Sequence, residues 1–441
     1  MNQPRRTLIV GTAGRDFHVF NTLYRTDPHH LVLGFTAADT ADGGGPGRYP
    51  ACLAGPQYPD GIPILPEGRL EQVIAELGIE DVVFAYSELG NAEVVRLAAR
   101  VLAAGADFQL LSPVRSMLPT TTPVIAVTAA RAGAGKSPTV RYLIELLSSW
   151  GLRVAVIRHP VRAQSFAEDR EHAFALIDGQ RADSCAEPTR EEHASVPGVW
   201  MFSGLDYARV LAAAQESADV ILWDGIGNDL PFLQPKLHIA LTDPLRAGEE
   251  ADYFPGEVGL RLADIVIITK CESAGIEQIE RCESDIFTIN PRATVLTADS
   301  PVLVDGGERV AGRTVVVVEE AHTLSLGAMK PGAGLAAARL LGVSAIISPL
   351  PQAVGALVEL YRLHPEAQSV LPTSGFGPSD LADLKATINA TPSEGIIDAT
   401  RIDLAAVLGL DRPVARAAFA LSPHDPDQLA RLVRAAVGLT G

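Results

Sequence analysis

The sequence predicts an α/β protein with a Rossmann-like N-terminal domain, a central P-loop NTPase domain on a mostly parallel sheet, and a smaller C-terminal α/β domain. Three observations carry this. Short Val- and Ile-rich runs alternate with helix-length amphipathic segments along nearly the whole chain, the pattern of parallel strands joined by crossover helices. A glycine-rich phosphate-binding motif stands between one such run and one such segment at Ala130 to Ser137. A chain of 441 residues exceeds what one hydrophobic core usually supports, so two or three domains are expected, here 1–118, 119–305 and 306–441.

In the first block, strands are expected at 7–10, 31–35, 81–85 and 108–111, with helices near 70–77 and 92–104. A Gly/Pro-rich loop over 41–66 is too long for a mere connection and is expected to cover something. Residues 118–123, rich in Pro and Thr, read as a linker. The second block carries strands at 124–127, 153–158, 220–223, 237–241 and 265–268; the third opens with a strand at 314–318 and ends with a helix near 427–437.

Composition bounds the function. With 47% hydrophobic and 20% charged residues the chain is globular rather than disordered. A net charge of −17 argues against nucleic acid or an anionic membrane as the main partner, so an anionic substrate must be held by a local cluster of cations and backbone N–H groups. Cys52, Cys185, Cys271 and Cys282 are scattered without zinc spacing and read as reduced thiols. The apolar run near the N-terminus is of strand length and no run of 18 apolar residues occurs, so a soluble cytoplasmic protein is expected.

The strongest motif follows the strand VIAV. In AARAGAGKSPT the pattern G-x-x-x-x-G-K-[ST] is met at Gly135, Lys136 and Ser137, with Ala130 in place of the first glycine. Ala132, Gly133, Ala134, Gly135 and the helix N-terminus would form an anion cradle. Lys136 would supply charge to the β and γ phosphates, the Ser137 hydroxyl would ligate Mg²⁺, and Pro138 suits the first helical turn.

A P-loop needs a carboxylate at the end of a neighbouring strand to hold magnesium, and Asp224 in ADVILWDGIGND is placed for that, with Asp229 assisting or facing substrate. Arg158, His159, Asp243 and Lys270 each follow an apolar run and should share the same carboxyl edge, where ligands of open α/β sheets gather. TKCE at 269–272 resembles a degenerate N-K-x-D base loop: Glu272 keeps a carboxylate, Thr269 replaces the bracing amide, and ATP is preferred over GTP.

In the first block, Gly14, Arg15, Asp16 and His18 put N–H groups, a guanidinium and an imidazole at one strand end. The competing account is a turn holding a nicotinamide; it lacks the third glycine and an acidic end to the second strand. His18 is open to a packing role as well as a catalytic one. Arg48, Tyr49 and Arg246 are further substrate candidates, and Lys330 either stabilises a transferring phosphoryl group or is a solvated loop lysine.

Several segments together resemble the cyclic 2,3-diphosphoglycerate synthetase family: GTAGRDFHVFN, RYPACLAGPQYPDGIPI, RVLAAGADFQLLSP, the P-loop with VRYL, VIRHP, WDGIGNDLPF, DPLRAGEEADYFPGE and LSLGAMKPGAGLAAA. The resemblance implies a cytoplasmic, dimeric, ATP- and Mg²⁺-dependent enzyme. One phosphate of the substrate would be activated and attacked by the other, closing a ring with release of ADP and phosphate. Residues 180–199, the altered base loop, and Asp398 and Arg401 in GIIDATRIDL depart from that pattern and point to a different acid substrate. A small-molecule kinase or a P-loop GTPase is the alternative.

Overall fold

The computed structural model describes residues 3–12, 14–37, 47–86, 89–159, 199–225, 227–320, 332–373 and 375–439, and the backbone alone of 175–177. In the first unit, β1 (Arg5–Val10), β2 (His30–Ala37), β3 (Arg48–Tyr49), β4 (Ile62–Pro66), β5 (Asp81–Phe84), the short β6 (Leu89–Gly90) and β7 (Asp107–Leu110) are the strands. Six of them form a sheet in the order β3-β4-β2-β1-β5-β7, parallel except for β3. Leu8, Ile9 and Val10 are fully buried because helices cover both faces, and a strand buried on both sides reads as an unbroken apolar run.

The segment 41–66, expected as loop, contains β3 and β4. Pro63 and Pro66 disguise β4 in the sequence, and they are tolerated because this strand lies beside the sheet edge, where few ladder N–H groups are needed. Residues 118–123, expected as linker, are stitched to the second unit: Leu118 bridges Leu233 and Thr121 N–H donates to Gln215.

The second unit contributes β8 (Val124–Ala129), β9 (Val154–Arg158), β10 (Ala175–Ile177), β11 (Val199–Ser203), β12 (Val220–Asp224), β13 (Leu237–Thr242), β14 (Tyr253–Phe254), β15 (Ile265–Ile268) and β16 (Thr294–Asp299). The third has β17 (Val302–Asp305), β18 (Thr314–Glu320), β19 (Ala345–Ile346), β20 (Leu371–Thr373), β21 (Gly395–Ala399) and β22 (Val414–Phe419); β23 (Ser422–Pro423) follows.

The central sheet runs β10-β11-β9-β12-β8-β13-β15-β16-β23. Its last strand comes from the chain's C-terminal segment, which therefore returns from the third unit to the second. The helix Pro426–Ala436 explains the return: Leu429 and Val433 are fully buried in the same core as Leu143 and Leu147, and the Arg434 guanidinium lies 4.3 Å from the Trp150 ring. An amphipathic helix must bury its stripe somewhere, and sequence periodicity does not say against what. The two large units are also joined directly, since β14 pairs antiparallel with β6 of the first.

Candidate functional site

β8 is buried along its whole length and delivers the chain to the phosphate loop at the carboxyl edge of the central sheet. Gly133 (φ 79°) and Gly135 (φ 97°) hold left-handed backbone that a side chain would strain, so the loop turns sharply into the helix Lys136–Ser149. That helix has no side-chain cap, which leaves the Ser137 amide of its first turn available to an anion, Pro138 having no N–H and the Thr139 amide donating to the Gly135 carbonyl at 3.1 Å. Gly256 packs against the Ala130 backbone: a Cβ at 256 would stand 2.0 Å from the Ala130 carbonyl oxygen. Lys136 Nζ donates to the Gly227 carbonyl in the loop after β12.

The parallel pairing of β12 with β9 puts Asp224 opposite Arg158, and its pairing with β8 puts Asp224 beside Val127. Arg158 Nε lies 3.0 Å from Asp224 Oδ2 as an ion pair, yet it is not aligned to donate, and that buried oxygen has no hydrogen bond among the described residues. An orphaned carboxylate oxygen at 2% exposure is costly unless something cationic completes it. Ser137 and Asp224 together supply the hydroxyl and carboxylate that a P-loop uses for Mg²⁺, the other ligands being phosphate oxygens and water. Among the described residues no three His, Cys, Asp or Glu side chains gather as a metal site, so a metal here would depend on a phosphate-bearing ligand.

On the other side of the loop, Lys270 takes left-handed backbone (φ 56°) and its ammonium pairs with Asp243; burial pushes its pKa down. Thr269 Oγ1 donates to the Ala134 carbonyl at 2.9 Å, so the bracing role whose amide is missing from the sequence is filled by a hydroxyl. Glu272 accepts from Ser300 N–H at 2.9 Å, which engages the carboxylate that a guanine would need. Arg246 reaches the Ala132 carbonyl at 2.9 Å and Asp243 at 3.2 Å, placing it under the phosphate loop rather than in an open acceptor site. Arg131 lies 3.5 Å from the centre of the Tyr253 ring and pairs with Glu249.

The first unit meets this edge at Gly14. A Cβ there would be 2.6 Å from His159 Nδ1, so glycine admits the imidazole, and its φ of 138° also excludes other residues. His159 is held from both sides: Tyr207 OH donates to Nδ1 at 2.6 Å and Nε2–H donates to Asp229 Oδ2 at 3.0 Å. Burial pushes the Tyr207 pKa up, so the phenol keeps its proton. Asp16 accepts from the Gly14 and Phe17 N–H groups. Arg15 is buried beside them.

His18 stacks on Phe232 with ring centres 4.1 Å apart and donates Nε2–H to the Ser116 carbonyl at 2.7 Å; burial lowers its pKa to about 3, so it is a neutral packing group. Arg48 donates to the Asp60 and Gly61 carbonyls, and Tyr49 is fully buried with its hydroxyl on Asn21; both serve the edge of the first sheet. Lys330 and residues 180–198 lie outside the described residues. The contributions of Tyr207, Gly256 and Arg131 have no sequence motif and rest on tertiary contact alone.

A mostly parallel α/β sheet, a glycine-turned phosphate loop with Lys136 and an acidic residue closing the neighbouring strand define a P-loop protein. The chain belongs to the family of the arginine synthetase ArcE of Thermococcus kodakarensis, to which it is 42% identical over 419 residues, covering 95% of this chain and 93% of that protein. Likeness to the cyclic 2,3-diphosphoglycerate synthetase of Pyrococcus furiosus is more local, 27% identity over 197 residues, 44% of this chain and 42% of the relative. The resemblance to that family drawn from the motifs thus holds for part of the chain. Among solved structures, LpxK of Aquifex aeolicus in complex with ATP covers 73% of this chain and 90% of its own at 15% identity and a TM-score of 0.47. No family model matches the chain.

Proposed function

We propose that this chain is an ATP- and Mg²⁺-dependent synthetase that phosphorylates an oxygen of a small anionic acceptor and then exchanges that phosphate for nitrogen. The name of the ArcE relative supports a guanidino product, because replacing the oxygen of a ureido group by nitrogen yields a guanidine. The observation that carries the reading is the convergence of Lys136, the uncapped helix amides and the Asp224 carboxylate on one sheet edge.

In the first step the acceptor oxygen bonds to the γ-phosphorus as the bond to the ADP oxygen breaks. Lys136 and the loop amides take up charge on the phosphates, and these interactions strengthen as charge develops. Ser137 and Asp224 would hold Mg²⁺, which would supply positive charge to the phosphates. In the second step a neutral amine attacks the activated carbon, phosphate leaves with the C–O bond pair, and the surplus proton passes to solvent. Glu272, engaged with Ser300, supports ATP over GTP.

A second reading, ring closure on a doubly phosphorylated acid, has the partial likeness to cyclic 2,3-diphosphoglycerate synthetase in its favour. Measuring ADP and phosphate release with ATP or GTP, ammonium, and a panel of ureido amino acids and 2,3-bisphosphoglycerate separates the two. Turnover dependent on both ureido acid and ammonium supports nitrogen exchange. Turnover with bisphosphoglycerate alone would replace it with ring closure, and acceptor-independent GTP hydrolysis would replace both.

A further inference from the structure

Arg15 is out of balance with its surroundings. The residue is 7% exposed, its Nη1 is buried without a hydrogen-bond partner, and it makes no ion pair with any described residue. Leaving a buried guanidinium nitrogen without a hydrogen-bond partner is costly. A cation kept there at such cost is readily explained by an anion that arrives with the ligand. The Phe254 ring, 5.8 Å from its Cζ, closes one side, and desolvation by this enclosure lowers its pKa.

The neighbourhood also limits which anion fits. The charges acting on Arg15 are those of Asp229 and Asp16, both buried. Asp229 is fixed through His159 and Tyr207, and Asp16 through the Gly14 and Phe17 amides, so neither can turn away. One unpaired cation between two fixed carboxylates repels a polyanion. It accommodates a single carboxylate, better still one whose own molecule also carries a positive charge. The loop bearing Asp229 is the one whose Gly227 carbonyl receives Lys136, so the surroundings of Arg15 adjoin the phosphate site.

We propose that Arg15 is the specificity residue that receives the carboxylate of a zwitterionic amino-acid ligand at the junction of the first and second units. The inference rests on the synthetase reading for its choice of ligand and adds the residue that selects it. Binding of L-arginine and of agmatine, the same molecule without its carboxylate, is measured calorimetrically on the full chain with Mg-ADP present. The parent should bind L-arginine at least tenfold more tightly than agmatine, as expected for a charged hydrogen-bonded pair, and more tightly than 2,3-bisphosphoglycerate. Arg15→Met should abolish the preference, leave Mg-ADP affinity unchanged, and melt no lower than the parent without ligand. Arg15→Lys, which keeps the charge, should retain part of the preference and decides the matter should the methionine variant not fold. Equal binding of arginine and agmatine, no binding of either, tighter binding of bisphosphoglycerate, or a preference that survives Arg15→Met would overturn the assignment. Nucleotide turnover is scored separately: a parent that prefers arginine yet consumes no ATP with any acceptor leaves this assignment standing and sinks the synthetase reading.

Discussion

Arg158 and Asp224 are register partners on adjacent parallel strands, and the guanidinium sits 3.0 Å from a carboxylate oxygen that it does not hydrogen-bond. The pair fixes the carboxylate at the phosphate edge while leaving that oxygen open to a cation. Asp224→Asn should therefore reduce Mg²⁺-dependent turnover by about 100-fold, the scale of one lost electrostatic element in an active site. Its melting temperature should move little, because Arg158 keeps 21% side-chain exposure and can hydrate. Steady-state kinetics against Mg²⁺ concentration checks this, and turnover within threefold of the parent would exclude Asp224 from metal binding.

Thr269 and Glu272 separate bracing from base choice. Thr269→Val removes the hydroxyl that holds the Ala134 carbonyl and should weaken nucleotide binding by about 1 kcal/mol, equally for ATP and GTP. Glu272→Gln should leave the ATP-to-GTP preference unaltered, because the carboxylate is occupied by Ser300 N–H. Competition binding with both nucleotides reads the two effects; a preference that reverses in the glutamine variant would mean that Glu272 does face the base.

Gly256→Ala tests whether the altered first position of the motif depends on its neighbour. The new methyl would meet the Ala130 carbonyl oxygen at 2.0 Å and its carbon at 2.8 Å, both backbone atoms that cannot rotate away. Displacing the phosphate loop should cost about 1–3 kcal/mol of stability and a larger relative loss of nucleotide affinity. Denaturant melts with and without Mg-ATP give both numbers, and an unchanged ligand-induced shift in melting would contradict the coupling.

Stability should rise between pH 4 and pH 6. His18, lowered to about 3, is mostly neutral in the folded chain across this range and His238, lowered to about 4, becomes so as the pH climbs above 4, whereas the unfolded chain protonates both below its ordinary histidine pKa of about 6.5. Asp398, raised to about 6 by burial, works in the opposite sense, since there the folded chain holds the extra proton. The two histidines outweigh the one aspartate, so the unfolded state binds more protons and stability grows by about 1 kcal/mol per pH unit. Urea unfolding at pH 4.5 and 6 measures the slope; a flat or falling profile would show that these histidines are solvated.

Much of the site was legible in the sequence. The phosphate loop, Asp224, Arg158 and His159 could be placed because strands buried on both faces read as unbroken apolar runs, and the residue ending such a run must lie at the sheet's carboxyl edge. What escaped was partner choice. Nothing local tells that Thr269 reaches Ala134, that Gly14 admits His159, that Arg246 is spent on the Ala132 carbonyl, or that the last helix packs on the second core. The strand Ile62–Pro66 was hidden by its prolines, which its short pairings beside the edge strand excuse and a sequence pattern cannot.

In the proposed chemistry Lys136 carries charge to a bound triphosphate. The direct test is Mg-ATP binding and ADP release by the parent and by Lys136→Ala under the same conditions. Affinity should fall by roughly 100-fold, the order expected when a phosphate-binding cation is removed from a partly buried site, and ADP release should fall to background. An alanine variant that binds and consumes ATP as its parent does would contradict the proposed chemistry at its root.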